Sequence, residues 1–494
     1  MTQNLELSMI KNAFLACFAP LLLSACALQQ PPATVSAPVP SRWFAPLPAA
    51  TPVTGLPHQG NLSDLSQWWQ QQGDPLLAEL VAAAQAVSPT VATARSRIEQ
   101  SRATRVAAGA ALLPSLDASA SATRGRSQPA GAATAPVATT MQAGLQTAWE
   151  LDLFGGQSAS RNAAQLRYEG SQAQWHDARV LVAAEVANQY YSLRTCDRLA
   201  RVTRSDAASR AETGRLAALS ADAGFTAPAT ASLARASAAE SNGRATQQAA
   251  QCELDLKALV ALTALQEPYL RSKLAATPFD IEKIAPVFVA SVPAEALAQR
   301  PDVFNAEREV AAASADVGSA QAERYPRLSL SGSIAANRVS SRGVSTDFNT
   351  WSIGPLALSL PLFDGGRRAA DVDSAQARYD EAAAVYRGRV RQAVREVEEA
   401  LITLQSTAAR SEDARIAAEG YRASFTGTDA RYQGGLASLV ELEDARRTLL
   451  AAETALLSLQ RERASAWVAL YRAMGGGWAP QLQGPAPVST SARP

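Results

Sequence analysis

The chain matches itself at a nearly constant offset, and no other feature of the sequence restricts its fold so strongly. Pro89 and Pro301 lie 212 residues apart, as do Pro114 and Pro326. The offset is 211 for Glu185-Val186 against Glu396-Val397 and for Gly224 against Gly435. Leu151-Asp152-Leu153-Phe154-Gly155-Gly156 is answered by Leu360-Pro361-Leu362-Phe363-Asp364-Gly365-Gly366. One unit used twice, as a first repeat over 61–270 and a second over 271–474, occupies most of the 494 residues. A solenoid needs several shorter units, so two copies of about 210 residues argue against that class.

Within each copy the hydrophobic period changes in the same order. Helical sequence from Pro89 to Ala111 gives way at Pro114 to alternation, with Leu116, Ala118, Ala120 and Ala122 opposite Ser115, Asp117, Ser119 and Ser121. After a Ser/Gly/Pro-rich loop, Leu145, Thr147, Trp149, Leu151 and Leu153 alternate with Gln146, Ala148, Glu150 and Asp152. The second copy repeats the pattern through Leu328, Leu330 and Ile334, then through Leu356, Leu358, Leu360 and Leu362. Strands are expected at 114–125, 142–154, 326–338 and 350–363. Their length suits an outer-membrane barrel, although two hairpins on a soluble domain fit the pattern equally. Four strands cannot close a barrel, for which about eight are needed, so a membrane-spanning structure has to be shared among copies of the chain. The mature sequence has no apolar run of the roughly twenty residues that a transmembrane helix requires.

After each Gly-Gly pair a helical pattern continues for about sixty residues, on the order of 90 Å. Val390, Val394, Val397, Leu401 and Leu404, and on the return Leu442, Ala445, Leu449, Ala452, Leu456 and Leu459, step by threes and fours. That is coiled-coil spacing. Helical hairpins are expected at 157–264, with its tip near Gly224, and at 367–474, with its tip near Gly435. Alanine makes up roughly a fifth of the chain while aromatics are 6%. Such a surface lets long helices approach closely on two sides. Cys196 and Cys252 each stand 28 residues from Gly224, opposite one another across the first hairpin. A disulfide is expected there, with two separate buried thiols as the alternative.

The N-terminus reads as a targeting segment, with Lys11, an apolar run from Ala13 to Leu23 and then Leu23-Ser24-Ala25-Cys26. This resembles the lipobox of bacterial lipoproteins, which implies a signal peptide over 1–25 and lipidation of Cys26. By the sorting pattern of such proteins, Ala27 in place of aspartate favours the outer membrane. A poorly ordered Pro/Ala/Ser-rich tether is expected over 26–60, and a similar tail over 475–494. The net charge of +1 excludes a basic nucleic-acid binder. With two histidines, His58 and His176, and four lysines, the chain has neither a His-based metal site nor a phosphate loop. It has no GxSxG elbow, no HExxH and no nucleophile beside a histidine, so no catalytic residue, cofactor or metal is expected.

Three stretches carry a family likeness: Gln299-Arg300-Pro301-Asp302-Val303 running to Ala322-Glu323-Arg324-Tyr325-Pro326; Trp149 to Gly155; and Arg431-Tyr432-Gln433-Gly434-Gly435 continuing to Glu441-Leu442-Glu443-Asp444-Ala445-Arg446-Arg447. In order, spacing and duplication they resemble the outer-membrane factors of tripartite efflux pumps, the TolC superfamily, in its NodT-type lipoprotein branch. The resemblance implies a mainly α chain with a transmembrane β part, in a homotrimer. Twelve shared strands would form the barrel and long hairpins a periplasmic tube. The tips, Gly224, Phe225, Thr226, Gly434, Gly435 and Leu436, would meet a periplasmic adaptor that links them to an inner-membrane transporter. Val440 and Asp444, with Arg447, correspond to the family's periplasmic constriction. Glu443 and Arg446 depart from it, because leucine and glutamine are usual there. A periplasmic coiled-coil adaptor or scaffold lipoprotein is the alternative, but it would lack the strands and the whole-chain duplication.

Overall fold

The computed structural model describes residues 30–47, 68–126, 137–277, 293–341 and 343–478. The signal segment 1–25, Cys26, His58 and the chain beyond Trp478 lie outside them. The first copy contributes α1 (Trp68–Gln71), α2 (Pro75–Val87), α3 (Pro89–Ala110), β1 (Ser115–Arg126), β2 (Val137–Leu151), α4 (Gly156–Asp222), α5 (Pro228–Thr263) and α6 (Glu267–Ala276). The second contributes α7 (Pro293–Leu297), α8 (Pro301–Ala322), β3 (Arg327–Ser341), β4 (Val344–Ser359), α9 (Arg367–Gln433) and α10 (Leu439–Ala473), closed by a 3-10 turn at Gly475–Gly477. The boundary expected between 270 and 271 falls inside α6.

Compactness does not follow the repeat. Of the described residues, one unit joins those within Met1–Ala37, Arg97–Gln172 and Asn305–Arg387, and the other those within Pro38–Ser96, Ala173–Phe304 and Gly388–Pro494. Each unit takes segments from both copies, so the copies are not separate domains. In the first unit the sheet runs β1-β2-β3-β4, antiparallel throughout, with Gln146 opposite both Asp117 and Ser333 and Ile334 opposite Trp351. A register shift between Leu330 and Gly332 falls at the level of Pro355, a residue with no N–H to give to the ladder.

β2 and β4 end earlier than alternation alone predicts, while β1 and β3 run on to Arg126 and Ser341, and the early ends have a local reason. The Asp152 carboxylate accepts from Gln157 N at 3.0 Å, Ser158 N at 2.8 Å and Ser158 Oγ at 2.6 Å. It caps α4, which takes Leu153 and Phe154 out of the ladder. Asp364 does the same for α9 through Gly366 N at 3.1 Å, so Leu360, Leu362 and Phe363 follow the strand instead of belonging to it. Phe154 stacks on Tyr325 with ring centroids 4.9 Å apart, while Phe363 is exposed.

Small residues pack the first unit, where Ala163 of α4 meets Ala312 and Ala315 of α8. The second unit holds the larger core, with Leu77, Leu80, Val186, Tyr190, Leu259, Leu401 and Leu470 fully buried. Trp68 stacks on Tyr471 at 5.0 Å and Trp69 meets the same ring edge-on at 4.8 Å, which gives both tryptophans a packing role.

Two expectations of disorder are corrected. Residues 30–47 are placed: in the first unit Pro31 O accepts from Ser314 Oγ at 2.5 Å and Pro32 O from Tyr379 OH at 2.9 Å. In the second unit Phe44 N and Ala45 N donate to the two Glu398 carboxylate oxygens at 2.7 and 2.8 Å, beside a buried Trp43. Extended proline-rich backbone leaves its carbonyls free, and here side chains use them. The tail expected from 475 begins with structure. Gly475 has φ 77°, and a Cβ there would sit 2.3 Å from Gln299 O. Trp478 meets the Phe304 ring at 4.9 Å.

Candidate functional site

The two turns joining the long helices have the same construction. Gly224 and Gly435 take φ 79° and 74°, which lets Phe225 N donate to Ser220 O at 2.9 Å and Leu436 N to Arg431 O at 2.7 Å. These six-to-one bonds close both helices in the same way. Pro228 starts α5, and a capping box of Ser438 with Glu441 starts α10. Phe225, Leu436 and Val440 are exposed, at 86%, 73% and 64%. Thr226 shares a hydroxyl contact of 2.5 Å with Ser220. Among the described residues, Gly434 completes the second turn by donating to Ala430 O at 3.0 Å.

Asp444 and Arg447 form an ion pair with each other on the outside of α10, with side chains 59% and 78% exposed. Glu443 and Arg446 turn inward. The Glu443 carboxylate accepts from Arg210 of α4, from Ser237 Oγ of α5 at 2.6 Å and from Arg446 at 2.9 Å. Arg446 donates to Ser209 Oγ and Thr213 Oγ1, both at 2.9 Å, and lies over the Phe425 ring of α9 at 5.8 Å. Arg210 also binds both Asp206 oxygens at 3.0 Å. The Arg210 and Arg446 side chains are only 7% and 4% exposed. One buried network therefore joins α4, α5 and α10, with α9 against it. Sequence reasoning saw Glu443 and Arg446 only as departures. Their inward orientation was readable, since Leu439, Leu442 and Arg446 follow one helix face that is buried.

Further along the same hairpin, Cys196 and Cys252 are joined at an S–S distance of 2.10 Å. Elsewhere in the second unit, burial lowers His176 to about 4, helped by the charge of Arg179, and raises Asp177 to about 6, helped by Asp302. Arg300 beside them donates to both Asp302 oxygens, to Glu396 at 2.8 Å and to Ala473 O at 2.9 Å, which anchors the end of α10.

The sheet has two chemically different faces. Cross-strand partners share a face, so Leu116, Leu145, Trp149, Leu330, Ile334, Trp351, Ile353, Leu356 and Leu358 lie together. The opposite face carries Asp117, Ser119, Ser121, Gln142, Gln146, Ser333, Asn337 and Thr350. The outer edges of β1 and β4 have no strand partner among the described residues. Among the described residues no group of side chains is able to hold a metal ion, and no single helix is long and apolar enough to cross a membrane.

The sequence profile described as "Outer membrane efflux protein" matches residues 80–265 and 292–476. The pyoverdine export outer membrane protein OpmQ of Pseudomonas aeruginosa is 31% identical over 475 residues, covering 94% of this chain and 98% of its own. The toluene efflux pump outer membrane protein TtgI of Pseudomonas putida is 29% identical, with 95% and 99% covered. Among solved structures, the outer-membrane channel OprN superposes with a TM-score of 0.77 at 29% identity, over 92% of this chain and all of that one.

Proposed function

The chain belongs to the outer membrane efflux protein family, and from that premise we propose that three copies form the outer-membrane exit duct of a tripartite efflux system. The observation that carries this reading is a sheet with two open edges, one apolar face and one polar face. Three such sheets joined edge to edge give twelve strands, an even-numbered barrel with lipid outside and a polar lumen. Cys26, lipidated, would tether each copy to the membrane. The chain supplies no energy of its own. It is passive, and substrate is driven by an inner-membrane transporter reached through an adaptor.

In this reading the adaptor meets the turns at Gly224-Phe225-Thr226 and Gly434-Gly435-Leu436, where exposed Phe225 and Leu436 offer apolar contacts. Val440 and Asp444, four residues apart on the exposed side of α10, would narrow the periplasmic mouth, with Arg447 holding Asp444. Three carboxylates around an axis favour cations over anions. The test is single-channel conductance in planar bilayers. Asp444→Ala is expected to raise conductance and to lower selectivity for cations. A wild-type trimer and an Asp444→Ala trimer that are both silent would overturn the channel. Unchanged conductance and selectivity on substitution would remove Asp444 from the constriction.

A further inference from the structure

The apolar face of the sheet ends abruptly. Rows of cross-strand partners read, from the helix-bearing end, Leu151-Leu328-Leu358, Trp149-Leu330-Leu356, Leu116-Thr147-Gly332-Ile353, Ala118-Leu145-Ile334-Trp351 and Ala120-Ala143-Ala336-Asn349. None of these carries a charge. The next row is Ala122-Met141-Arg338-Asp347, followed by one with Arg124 and one with Arg126. The ten residue steps from Leu328 to Arg338 rise about 33 Å along a strand, or about 25 Å along the normal of a barrel whose strands tilt by roughly 40°. That is the height of an outer-membrane apolar band, so the arginines begin where hydrocarbon ends.

Arg338 is bound to Asp347 at 2.6 and 2.8 Å with both groups more than half exposed, which leaves its charge balanced. Arg124 and Arg126 are exposed and have no acidic partner among the described residues. The sequence from 127 to 136 adds no Asp or Glu, and Arg342 adds another positive charge between β3 and β4. Each copy thus brings two unbalanced guanidinium groups, Arg124 and Arg126, to the hairpin end of its lipid-facing surface. On the channel reading, this end meets the outer leaflet, since the helices leave from the other.

From this placement we propose that Arg124 and Arg126, flanked by Arg338, form a binding surface for the phosphate groups of the outer-leaflet glycolipid. A planar guanidinium matches two phosphate oxygens, and its aliphatic stem lies along the apolar rows below it. The surface recognises the phosphate and not the acyl chains, because the rows beneath it are ordinary hydrocarbon-facing side chains. The Arg338–Asp347 pair marks the lower limit of the charged belt.

The experiment uses the full-length trimer in nanodiscs, with bisphosphorylated lipid A and its dephosphorylated form as probes, read by native mass spectrometry. Two basic groups at a membrane surface predict a preference of about 30-fold for the phosphorylated form, weakening with added salt. Arg124→Gln with Arg126→Gln should bring that preference below about threefold while bilayer conductance stays that of the wild type. Arg338→Gln with Asp347→Asn, which removes a balanced pair, should change it less. Equal binding of the two lipids by the wild type, or a full preference in the double glutamine variant, would overturn the proposal. A conducting trimer without phosphate preference refutes this surface alone. A chain that neither inserts nor conducts refutes the channel reading, and this surface with it.

Discussion

Replacing Glu443 by leucine should loosen the packing of the two helical hairpins far more than any change at the neighbouring Asp444. Among the described residues Glu443 is the only carboxylate within 3 Å of Arg446, whose other partners are the neutral hydroxyls of Ser209 and Thr213, with Asp429 at 3.8 Å. Removing one member of a buried ion pair typically costs about 3–5 kcal/mol. Arg210 keeps both oxygens of Asp206, which offsets part of that loss. The expected cost is therefore about 3 kcal/mol, at the low end of the range. Hydrogen exchange on peptides covering 206–213 and 439–448 should then accelerate on the order of 100-fold, since about 1.4 kcal/mol is a factor of ten. Asp444→Ala breaks an exposed pair and should move exchange by less than about threefold. The double change Glu443→Leu with Arg446→Gln removes both charges together, and its cost should fall below that of Glu443→Leu alone. Equal exchange in Glu443→Leu and Asp444→Ala, or strictly additive costs in the cycle, would refute the reasoning.

Two further outcomes follow from the second unit. The Cys196–Cys252 link closes a loop with a sequence separation of 56, so Cys196→Ala with Cys252→Ala should lower stability by up to about 4 kcal/mol, seen as a lower melting temperature. Alkylation of unreduced, unfolded protein should modify neither cysteine. His176, held near 4 in the fold, stays neutral there, so stability present above its ordinary value of 6.5 is lost as pH falls from 6.5 towards 4. Asp177, raised to about 6, acts in the opposite direction: its ionised form destabilises the fold above that pH, and protonation relieves this as pH falls towards 3.8. Thermal melts at pH 5, 6 and 7 should show His176→Gln protecting at the acid end and Asp177→Asn stabilising at pH 7. Each effect should be about 1–2 kcal/mol after allowance for partial exposure, and parallel melting curves for both variants and the wild type would refute it.

The order of strands and long helices was legible because alternation and the three-four spacing are periodic signals carried by many residues. The turns were legible because a positive φ selects glycine, as at Gly224 and Gly435. Strand ends were misjudged because a single side chain sets them. Asp152 and Asp364 withdraw the next residues to cap a helix, and apolar alternation continues past the cap. Residues 30–47 read as a tether because most of their polar contacts run through backbone groups, the carbonyls of Pro31 and Pro32 and the N–H groups of Phe44 and Ala45, which leave no side-chain pattern. Glu443 and Arg446 were visible but not their partners, since their network is assembled from residues more than two hundred positions apart.

That network also explains how a duplicated chain orders its own halves. With the offset of 211, Arg210 of the first copy corresponds to Tyr421 of the second, and Glu443 of the second to Ser232 of the first. Neither copy has both members of the Arg210–Glu443 pair, although each keeps one pair of its own, Arg210 with Asp206 in the first and Arg446 with Glu443 in the second. A buried guanidinium without its carboxylate is expensive, whereas the backbone turns and apolar stripes are nearly the same in both copies. The apolar pattern alone would let any hairpin pack on any other. The Arg210–Glu443 pair, divided between the copies and buried, favours packing of the first hairpin against a second one. In the trimer proposed above, the same preference would favour alternation of the hairpins around the axis, while the exposed Asp444–Arg447 pair contributes little to holding the hairpins together.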